Sequence, residues 1–356
     1  MQVHSRLLGS PAPAAMPRGV SVAKTKPSAH PLWPPNLRHR GLRFGSWNTA
    51  GGLDQETKLL DYAFGVCDVL GLQETKRELT FMPDRIISGE APGQDDSGSG
   101  VAILLSERAS SMLVESGCDG SRIVWCRLSG PSHDMVCVNA YVPYETKEQP
   151  SQRDILERLR KVLRHLQATG KASDCLVLLG DFNSRLPRNF QGLTGRYAQH
   201  AKADAGGLEL LDIMREFHLT AASTRFCPSR RKSPRGSTTY ISPRQAGYQI
   251  DYALISRDRF SAVTECKVDW AHARHRWGYE RDHGTIVMTV RFKIRAAAAP
   301  PPPPNLTLLS DPKNPKVLET FDRVLTDTVR AAKEAAGGRK AKAPTEAQTL
   351  RQTTPS

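Results

Sequence analysis

Short apolar runs rich in Val, Ile, Leu and aromatic residues recur along the middle of the chain, with charged or turn-forming segments between them. Runs of roughly four to eight such residues are typical of β-strands. We therefore predict strands at 42–50, 68–74, 100–106, 122–129, 135–142, 175–182, 249–256 and 284–292.

Two longer segments, 151–168 and 207–218, carry the helical period instead. Ser151 supplies an N-cap for the first helix and Gly170 a stop signal. The apolar stripes that would face the core are Ile155, Leu159, Val162, Leu163 and Leu166 in the first helix, and Leu210, Leu211, Met214 and Phe217 in the second. Many strands and few helices, without strict alternation, predict an α+β layered sandwich rather than a Rossmann-type sheet.

The periodic pattern is confined to one part of the chain. Residues 1–40 are rich in proline and have no hydrophobic period, so we expect a disordered basic arm. Residues 296–304 read "AAAAPPPPP", which favours a stiff polyproline linker. The folded domain is thus predicted at 41–295, and 305–356 is expected to be a partly helical or disordered tail.

Positive charge is concentrated at the N-terminal end. The net charge is +14, and residues 1–53 supply half of it, with seven Lys or Arg and no acid. Such an arm suits a polyanionic partner through counterion release, although a solvated tail or a targeting peptide has the same composition. We expect a nuclear protein, with organelle import as the alternative.

The seven cysteines never form a C-x-x-C pair, which argues against a disulfide framework and against a thiolate zinc site. A reducing compartment is therefore expected. Apolar runs stay well below the roughly 18 residues of a membrane span, so no membrane partner is predicted.

The run "VLLGDFNS" (177–184) ends a strand with an acid and an amide, Asp181 and Asn183, two positions apart and hence on one face. Either this is a turn with Asx capping, or it is the floor of an active site. Gly180 would then let the backbone approach a substrate phosphate. Polar side chains also stand at other strand ends, namely Asn48, Glu74, Tyr141, Asp251, Asp282 and His283.

Each of these residues has an ordinary structural role on its own, but together they match one chemistry. Glu74 and Asp282 offer hard oxygen ligands that suit Mg²⁺ or Mn²⁺. Asp181 and Asn183 together suit a grip on an attacking water. His283 suits donation to a phosphate oxygen, with Asp251 fixing its tautomer. The set predicts phosphoester hydrolysis without a covalent intermediate.

The ordered series "LQE", "NAYVP", "GDFN", "QIDYALIS" and "DH" resembles the endonuclease/exonuclease/phosphatase superfamily over about residues 41–295. The resemblance implies a DNase I-like four-layer α/β sandwich, two packed β-sheets flanked by helices. It also implies that Glu74 is the main metal ligand, helped by Asn48 and Asp282. The resemblance further implies that Tyr141 lies near the scissile phosphate. It implies that Asp181 and Asn183 act on the attacking water, and that Asp251 pairs with His283 beside them.

Segments between these motifs are similar to endonucleases of non-LTR retroelements and to craniofacial development protein 2-like proteins. They are residues 192–226 and the block "TTYISPRQAGYQIDYALIS". Two positions depart from the pattern: Tyr240 stands where these relatives usually have Trp, and Arg281 where the superfamily usually has Ser. The resemblance implies an origin in, or a likeness to, a retroelement.

The substrate is predicted from basic residues near the Asp251 strand. Residues 217–250 contain no acid, and a loop of this kind suits phosphates that flank a scissile bond, although it is also typical of a solvated loop. Aromatic Trp277 would stack bases or simply pack. The candidate substrate contacts are Arg230, Arg231, Lys232, Arg235, Trp277 and Arg281.

We therefore expect a monomeric, Mg²⁺-dependent nuclease that nicks DNA. Two alternatives stay open on the sequence. One is an RNA exonuclease or deadenylase of the same superfamily, and the other is a catalytically decayed module that only binds nucleic acid.

Overall fold

A computed structural model of the protein describes residues 19–20, 41–51, 65–80, 82–93, 96, 98–130, 132–144, 151–226, 236–270 and 282–292. Most of the N-terminal arm lies outside these residues, as do the linker at 296–304 and the tail at 305–356. The predicted domain boundaries and the predicted disorder of the arm therefore stay predictions.

The described residues form fifteen strands. In chain order these are β1 (Gly19–Val20), β2 (Gly41–Asn48), β3 (Val69–Gln73), β4 (Ile86–Ser88), β5 (Val101–Leu105), β6 (Leu113–Asp119), β7 (Ile123–Leu128), β8 (Met135–Tyr141), β9 (Cys175–Asp181), β10 (Leu219–Ala221), β11 (Tyr240–Ile241), β12 (Gly247–Tyr248), β13 (Asp251–Ser256), β14 (Val263–Asp269) and β15 (Thr285–Arg291).

Three α-helices lie wholly within the described residues: α1 (Glu107–Ser110), α2 (Gln152–Thr169) and α3 (Ala205–Glu216); residues 65–66 are also helical. Short 3₁₀ turns occupy Ala222–Thr224 and Arg257–Ala262. The hydroxyl of Ser151 accepts from the Asp154 N–H at the start of α2, as its sequence signal predicts. Among the described residues, no helix is both long and apolar enough to span a bilayer.

The strands make two large mixed sheets and one small ribbon. The first sheet has the order β1-β6-β7-β8-β9-β13-β10, and the second has the order β14-β15-β2-β3-β5-β4. Only the β8–β9 pair in the first sheet and the β2–β3 pair in the second are parallel among the described strands. Strands β11 and β12 form the ribbon.

The two sheets pack face to face. One apolar cluster fills the space between them and includes Phe44 and Val177. A second cluster lies between the first sheet and helices α2 and α3. A third covers the outer face of the second sheet, where the helical residue Val66 packs against it. The expected sandwich of two β-sheets flanked by helices is confirmed.

One buried polar link crosses between the sheets. Asn139 on β8 donates to the carbonyl oxygens of Leu72 at 2.8 Å and Ala102 at 3.1 Å, and its Oδ1 accepts from Gln73 Nε2 at 2.5 Å. Gly71 makes room for it, because a Cβ at that position would lie 2.6 Å from Asn139 Oδ1. The link fixes the sheets in one relative position just below the strand ends described next.

Candidate active site

The strand directions bring the polar strand-end residues to one edge of the sandwich. Asn48 ends β2 and Glu74 directly follows its parallel neighbour β3. Tyr141 and Asp181 end the parallel pair β8 and β9, and they lie opposite each other in register. Carboxyl ends of parallel strands meet at the same edge. Each sheet therefore contributes one pair of polar ends.

Antiparallel neighbours complete the group from the other direction. Asp251 begins β13 and lies opposite Asp181 in register. His283 stands just before β15, which pairs antiparallel with β2 and brings His283 to the same edge. The structure thus gathers Asn48, Glu74, Tyr141, Asp181, Asp251 and His283 at one end of the two sheets.

The side-chain amide of Asn48 joins the two halves of this group. Its Nδ2 donates to Glu74 Oε1 and to Asp181 Oδ2, each at 2.9 Å. Its Oδ1 accepts from the Ala50 N–H at 2.9 Å. In this arrangement Asn48 presents its nitrogen, rather than its oxygen, to the two carboxylates.

Asp181, Asp251 and His283 form a buried trio. Nδ1 of His283 lies 3.1 Å from each Asp251 oxygen, and Nε2 lies 3.9 Å from Asp181 Oδ2. Asp181 is 1% exposed, as is Asp251, and His283 is 5% exposed. The contact with Asp251 orients the imidazole so that its second nitrogen faces Asp181.

Burial and like charge shift the proton affinities of the trio. Burial, and then the charge of Asp251, raise the pKa of Asp181 to about 8 against the pull of His283. Burial lowers the pKa of His283, but Asp251, Asp181 and Asp282 together overcome that effect and raise it to about 10. A carboxyl whose pKa lies near the working pH is a stronger base than an ordinary carboxylate once it has lost its proton.

Asn183 has the left-handed backbone conformation (φ 45°). Its N–H donates to Asp181 Oδ1 at 2.9 Å, and its Nδ2 donates to the Val142 carbonyl oxygen at 3.0 Å. The Asp181 side chain therefore does make an Asx turn, and the same side chain lies at the centre of the polar group. The two interpretations of "GDFN" are compatible with each other.

Tyr141 lies between a carboxylate, Glu74, and a guanidinium, Arg122. Burial raises the pKa of its phenol, and Glu74 raises it further both by its charge and by accepting the phenol's hydrogen bond. The guanidinium of Arg122 lies 5.1 Å from the ring centroid, and it is itself ion-paired with Asp96. Tyr141 is thus kept protonated, with its hydroxyl aimed at Glu74.

Asp282 is half-buried beside the trio, and its main-chain oxygen accepts from the Ile241 N–H at 2.8 Å. The phenol of Tyr240 has a raised pKa, first because of burial and then because of the charges of Asp282, Asp181 and Glu74. The charges of these three carboxylates therefore act on the same phenol.

The donor set fits a hard divalent cation. Glu74, Asp181, Asp251 and Asp282 all stand at or next to strand ends, and His283 contacts two of them, Asp181 and Asp251. Atoms of Asp181, Asp251 and His283 also lie within 4.8 Å of one another, which is a spacing that a metal ion tolerates. Excess negative charge and oxygen donors are what Mg²⁺ and Mn²⁺ prefer.

Residues that the sequence did not single out hold this group in place. Thr239 Oγ1 accepts from the N–H groups of Ile250 at 3.1 Å and Asp251 at 3.2 Å, and the Thr239 carbonyl accepts from Gly284. Tyr240, noted only as a replacement for Trp, packs its ring 4.8 Å from that of His283. A Thr beside an aromatic residue is too common a pattern to mark such a role in advance.

Glycine is required at position 180 for a different reason from the one expected. A Cβ at this position would lie 2.1 Å from the carbonyl oxygen of Ala140 on β8. The glycine therefore permits close packing of β8 on β9. The expectation that it serves the approach of a phosphate receives no support from this geometry.

The predicted substrate contacts lie outside the described residues. This holds for Arg230, Arg231, Lys232, Arg235, Trp277 and Arg281, and their roles stay predictions.

The chain is similar to known proteins in sequence. The sequence signature described as the Endonuclease/Exonuclease/phosphatase family matches residues 45–311. The chain is 26% identical over 200 residues to craniofacial development protein 2 of Tragulus javanicus, covering 55% of this chain and 32% of that protein. It is 25% identical over 220 residues to the Bos taurus protein of the same name, covering 61% and 34%. The chain thus spans about a third of the length of these relatives.

Solved structures share the fold. The 3′ phosphatase NExo from Neisseria, bound to a product DNA hairpin, matches with a TM-score of 0.51 and 18% identity, covering 70% of this chain and 99% of that chain. The AP endonuclease LMAP from Leishmania major matches with a TM-score of 0.52 and 17% identity, covering 76% and 93%. Together with the matched signature, these findings confirm the resemblance noted in the sequence, and the chain belongs to the endonuclease/exonuclease/phosphatase family.

Proposed function

We propose that this protein is a divalent-metal-dependent endonuclease that hydrolyses the DNA backbone. One observation carries the proposal: the buried trio of Asp181, Asp251 and His283 is joined through Asn48 to Glu74, so that a base, an acid and an oxygen-rich ligand set share one edge. Membership of the family supports hydrolysis of a phosphoester.

Glu74 and Asp282 are the residues that would hold Mg²⁺ or Mn²⁺, with Asn48 beside them. The metal, when bound, would supply charge neutralisation at a phosphoryl oxygen. Asn48 can become a direct metal ligand only if its amide rotates, because its nitrogen, not its oxygen, faces Glu74 in this structure. In the observed orientation, Asn48 sets the spacing between Glu74 and Asp181.

Asp181 would accept the proton of the attacking water. The carboxylate has a raised pKa and is held by Asn48 and by the Asn183 N–H, so both its position and its basicity suit that step. The Nδ2 of Asn183 is engaged by Val142, which directs its Oδ1 as the atom that would orient the water.

His283 would donate from Nε2 to a non-bridging phosphate oxygen while Asp251 holds Nδ1. The raised pKa of His283 keeps it charged at neutral pH, which favours an anionic transition state. Tyr141, kept protonated by burial and by Glu74, would be a second donor at the edge of the phosphate site.

DNA is the proposed substrate because the chain is strongly basic, with a net charge of +14, and because residues 217–250 contain no acid. A relative with the same fold was solved with a product DNA hairpin. The likeness of residues 192–226 to retroelement endonucleases supports an endonuclease of that type.

The test is nicking of supercoiled plasmid by the purified chain with Mg²⁺ or Mn²⁺, with EDTA and with the variants Asp181→Asn and His283→Gln. We expect metal-dependent nicking that both variants reduce by about 10³-fold or more. Stepwise shortening of a poly(A) oligonucleotide with intact plasmid would favour the RNA exonuclease instead. Tight, EDTA-resistant binding without any cleavage would favour a decayed binding module.

We further propose a nuclear monomer. A fluorescent fusion of the full chain, compared with one lacking residues 1–40, tests the localisation, since mitochondrial signal that disappears with the arm would contradict it. Light scattering of the purified chain tests the oligomeric state.

A further inference from the structure

A second concave site lies at the outer edge of the first sheet, next to β10. It is an open pocket of about 380 Å³, lined by Asn189, Gly192, Thr194, Gly195, Arg196 and Arg225. Its position follows from the strand order. Strand β10 lies next to β13, and the Ala221 N–H of β10 donates outward to the Leu193 carbonyl. Two strand spacings, or about 10 Å, thus separate this loop from the strand that begins with Asp251.

The loop that forms the pocket is fixed by its own hydrogen bonds. Thr194 Oγ1 donates to the Pro187 carbonyl at 2.5 Å and accepts from the Phe190 N–H at 2.9 Å. The Gly195 N–H donates to Thr224 Oγ1 at 2.8 Å. A Cβ at Gly195 would lie 2.4 Å from the Thr224 carbonyl oxygen, so the close approach requires glycine. The pocket is therefore formed before any ligand arrives.

Arg225 is positioned as a rigid donor on one wall. Its Nε donates to Thr220 Oγ1 at 2.9 Å, its Nη2 donates to the Gly192 carbonyl, and its guanidinium lies 5.1 Å from the Phe260 ring centroid. An arginine carries further N–H donors in the same planar fork. The N–H groups of Arg225 that do not bind Thr220 or Gly192 can donate to a ligand in the plane of the guanidinium.

The two arginines of the pocket lack acidic partners within the described part of the chain. On the neighbouring elements, Asp212 of α3 pairs with Arg215, and Asp258 of the 3₁₀ turn pairs with Arg259. Burial, and then the charge of Arg257, lower the pKa of Arg225. Both effects disfavour its positive charge, and the attraction of an anion in the pocket would act against them.

We propose that this pocket binds a backbone phosphate of the nucleic acid, one that flanks the scissile phosphate. The inference rests on the proposed nuclease function and adds a second anchoring point to it. Planar guanidinium groups bind phosphate oxygens in pairs, which matches the fixed fork of Arg225 with Arg196 at the exposed rim. A phosphate held here would set where along the strand the substrate is gripped, without any contact to the reacting atoms.

The test uses Arg196→Gln and Arg225→Lys in the full chain, each also combined with Asp181→Asn so that binding is measured without cleavage. Binding of a fluorescent duplex is followed from low to high salt. We expect affinity about ten-fold weaker at low salt for Arg196→Gln and a salt slope smaller by about 0.9 for each phosphate that the variant no longer neutralises. Arg225→Lys keeps the charge but not the fork, so it should weaken binding while leaving the salt slope nearly unchanged.

Lys161→Gln is the matched control, because it removes one exposed positive charge from helix α2. If both arginine variants have the same DNA affinity and the same salt slope as Lys161→Gln, the proposed phosphate site is wrong. Hydrolysis of the small diester bis(4-nitrophenyl) phosphate distinguishes a wrong phosphate site from a wrong nuclease function, because this substrate is too small to contact the pocket while it occupies the strand-end group. Arginine variants should hydrolyse it at the parental rate, whereas a parental chain inactive on diester and DNA alike would overturn the proposed function.

Discussion

Asp181 and Asp251 lie directly opposite each other on neighbouring antiparallel strands, and both carboxylates are buried. Like charges in this position repel strongly, and His283 is the cation that contacts both. The trio is therefore one electrostatic unit, in which removal of any member changes the other two.

His283→Ala should lower the free energy of unfolding by about 3 kcal/mol at pH 8, because it leaves buried carboxylates without their cation. Asp181→Asn added to His283→Ala should recover part of that loss, since it removes one of the opposed charges. Urea denaturation in EDTA measures both. Strictly additive losses from the two substitutions would show that the trio is not coupled.

The pH dependence of cleavage should follow the same trio. Activity should rise as Asp181, whose pKa burial raises to about 8, loses its proton, and should fall as His283, raised to about 10, loses its own. A bound metal would move the first limb to lower pH. The Asp251 charge raises both pKa values, so Asp251→Asn should move both limbs of the kcat/KM profile to lower pH.

Asp258→Asn is the control for that profile, because it removes an exposed carboxylate that pairs with Arg259 on the 3₁₀ turn after β13, at the end of the strand opposite to Asp251. Its profile should match that of the parental chain. An alkaline limb that stays in place in Asp251→Asn would mean that His283 is not the group titrating there.

Metal binding should be visible as stabilisation without any substrate. A ligand at about 100 times its dissociation constant stabilises the folded state by about 2.7 kcal/mol, which for a domain of this size raises Tm by several degrees. We expect Mg²⁺ to raise the Tm of the parental chain but not of Glu74→Gln. Glu209→Gln on helix α3 is the control, and it should retain the rise.

The sequence predicted the strands of the sandwich core well, because those strands are apolar on both faces. All residues of β8 and β9 are buried, and both were predicted to within about one residue. Strands β6 and β14 were missed. They lie near or at the sheet edges and alternate apolar with charged residues, as in "LVESGCD" and "VTECKVD", so periodicity alone gives a weak signal.

The strand-end group was predicted from residue type and strand ends, and the structure brings those residues together. The amide of Asn139 was missed, although a polar side chain inside the apolar run "MVCVNAYV" was a usable signal. Thr239 was missed for a different reason. Its role depends on where β13 and β15 meet, and that is a long-range feature that no local pattern reports.

Asn139→Leu should lower the free energy of unfolding by about 2–4 kcal/mol, since it removes the buried hydrogen bonds of Asn139 to the Leu72 and Ala102 carbonyls and to the Gln73 amide. Chemical denaturation measures the loss. Adding Gln73→Leu should recover part of it, because removing both partners of a buried hydrogen bond is milder than removing one. A further loss of stability in the double variant would contradict the inter-sheet link.

Gly180→Ala should destabilise the fold by about 2 kcal/mol or more, because its Cβ would collide with the Ala140 carbonyl. Gly93→Ala is the matched control, since a Cβ there meets no atom within 4 Å. Thermal unfolding should show a lower Tm for Gly180→Ala than for Gly93→Ala. Normal stability with abolished activity in Gly180→Ala would instead restore a role for Gly180 at the phosphate.

The order of strands in the second sheet has a consequence for synthesis on the ribosome. Strand β15, late in the chain, lies between β14 and the early strand β2, and the hydrogen bond from Asn48 to Asp181 spans 133 residues. A nascent chain that ends before residue 283 therefore exposes an unpaired edge on β2 and holds no histidine opposite its two acids. Premature termination or early release should yield an aggregation-prone product, and enzymatic competence should emerge only as a late event of folding.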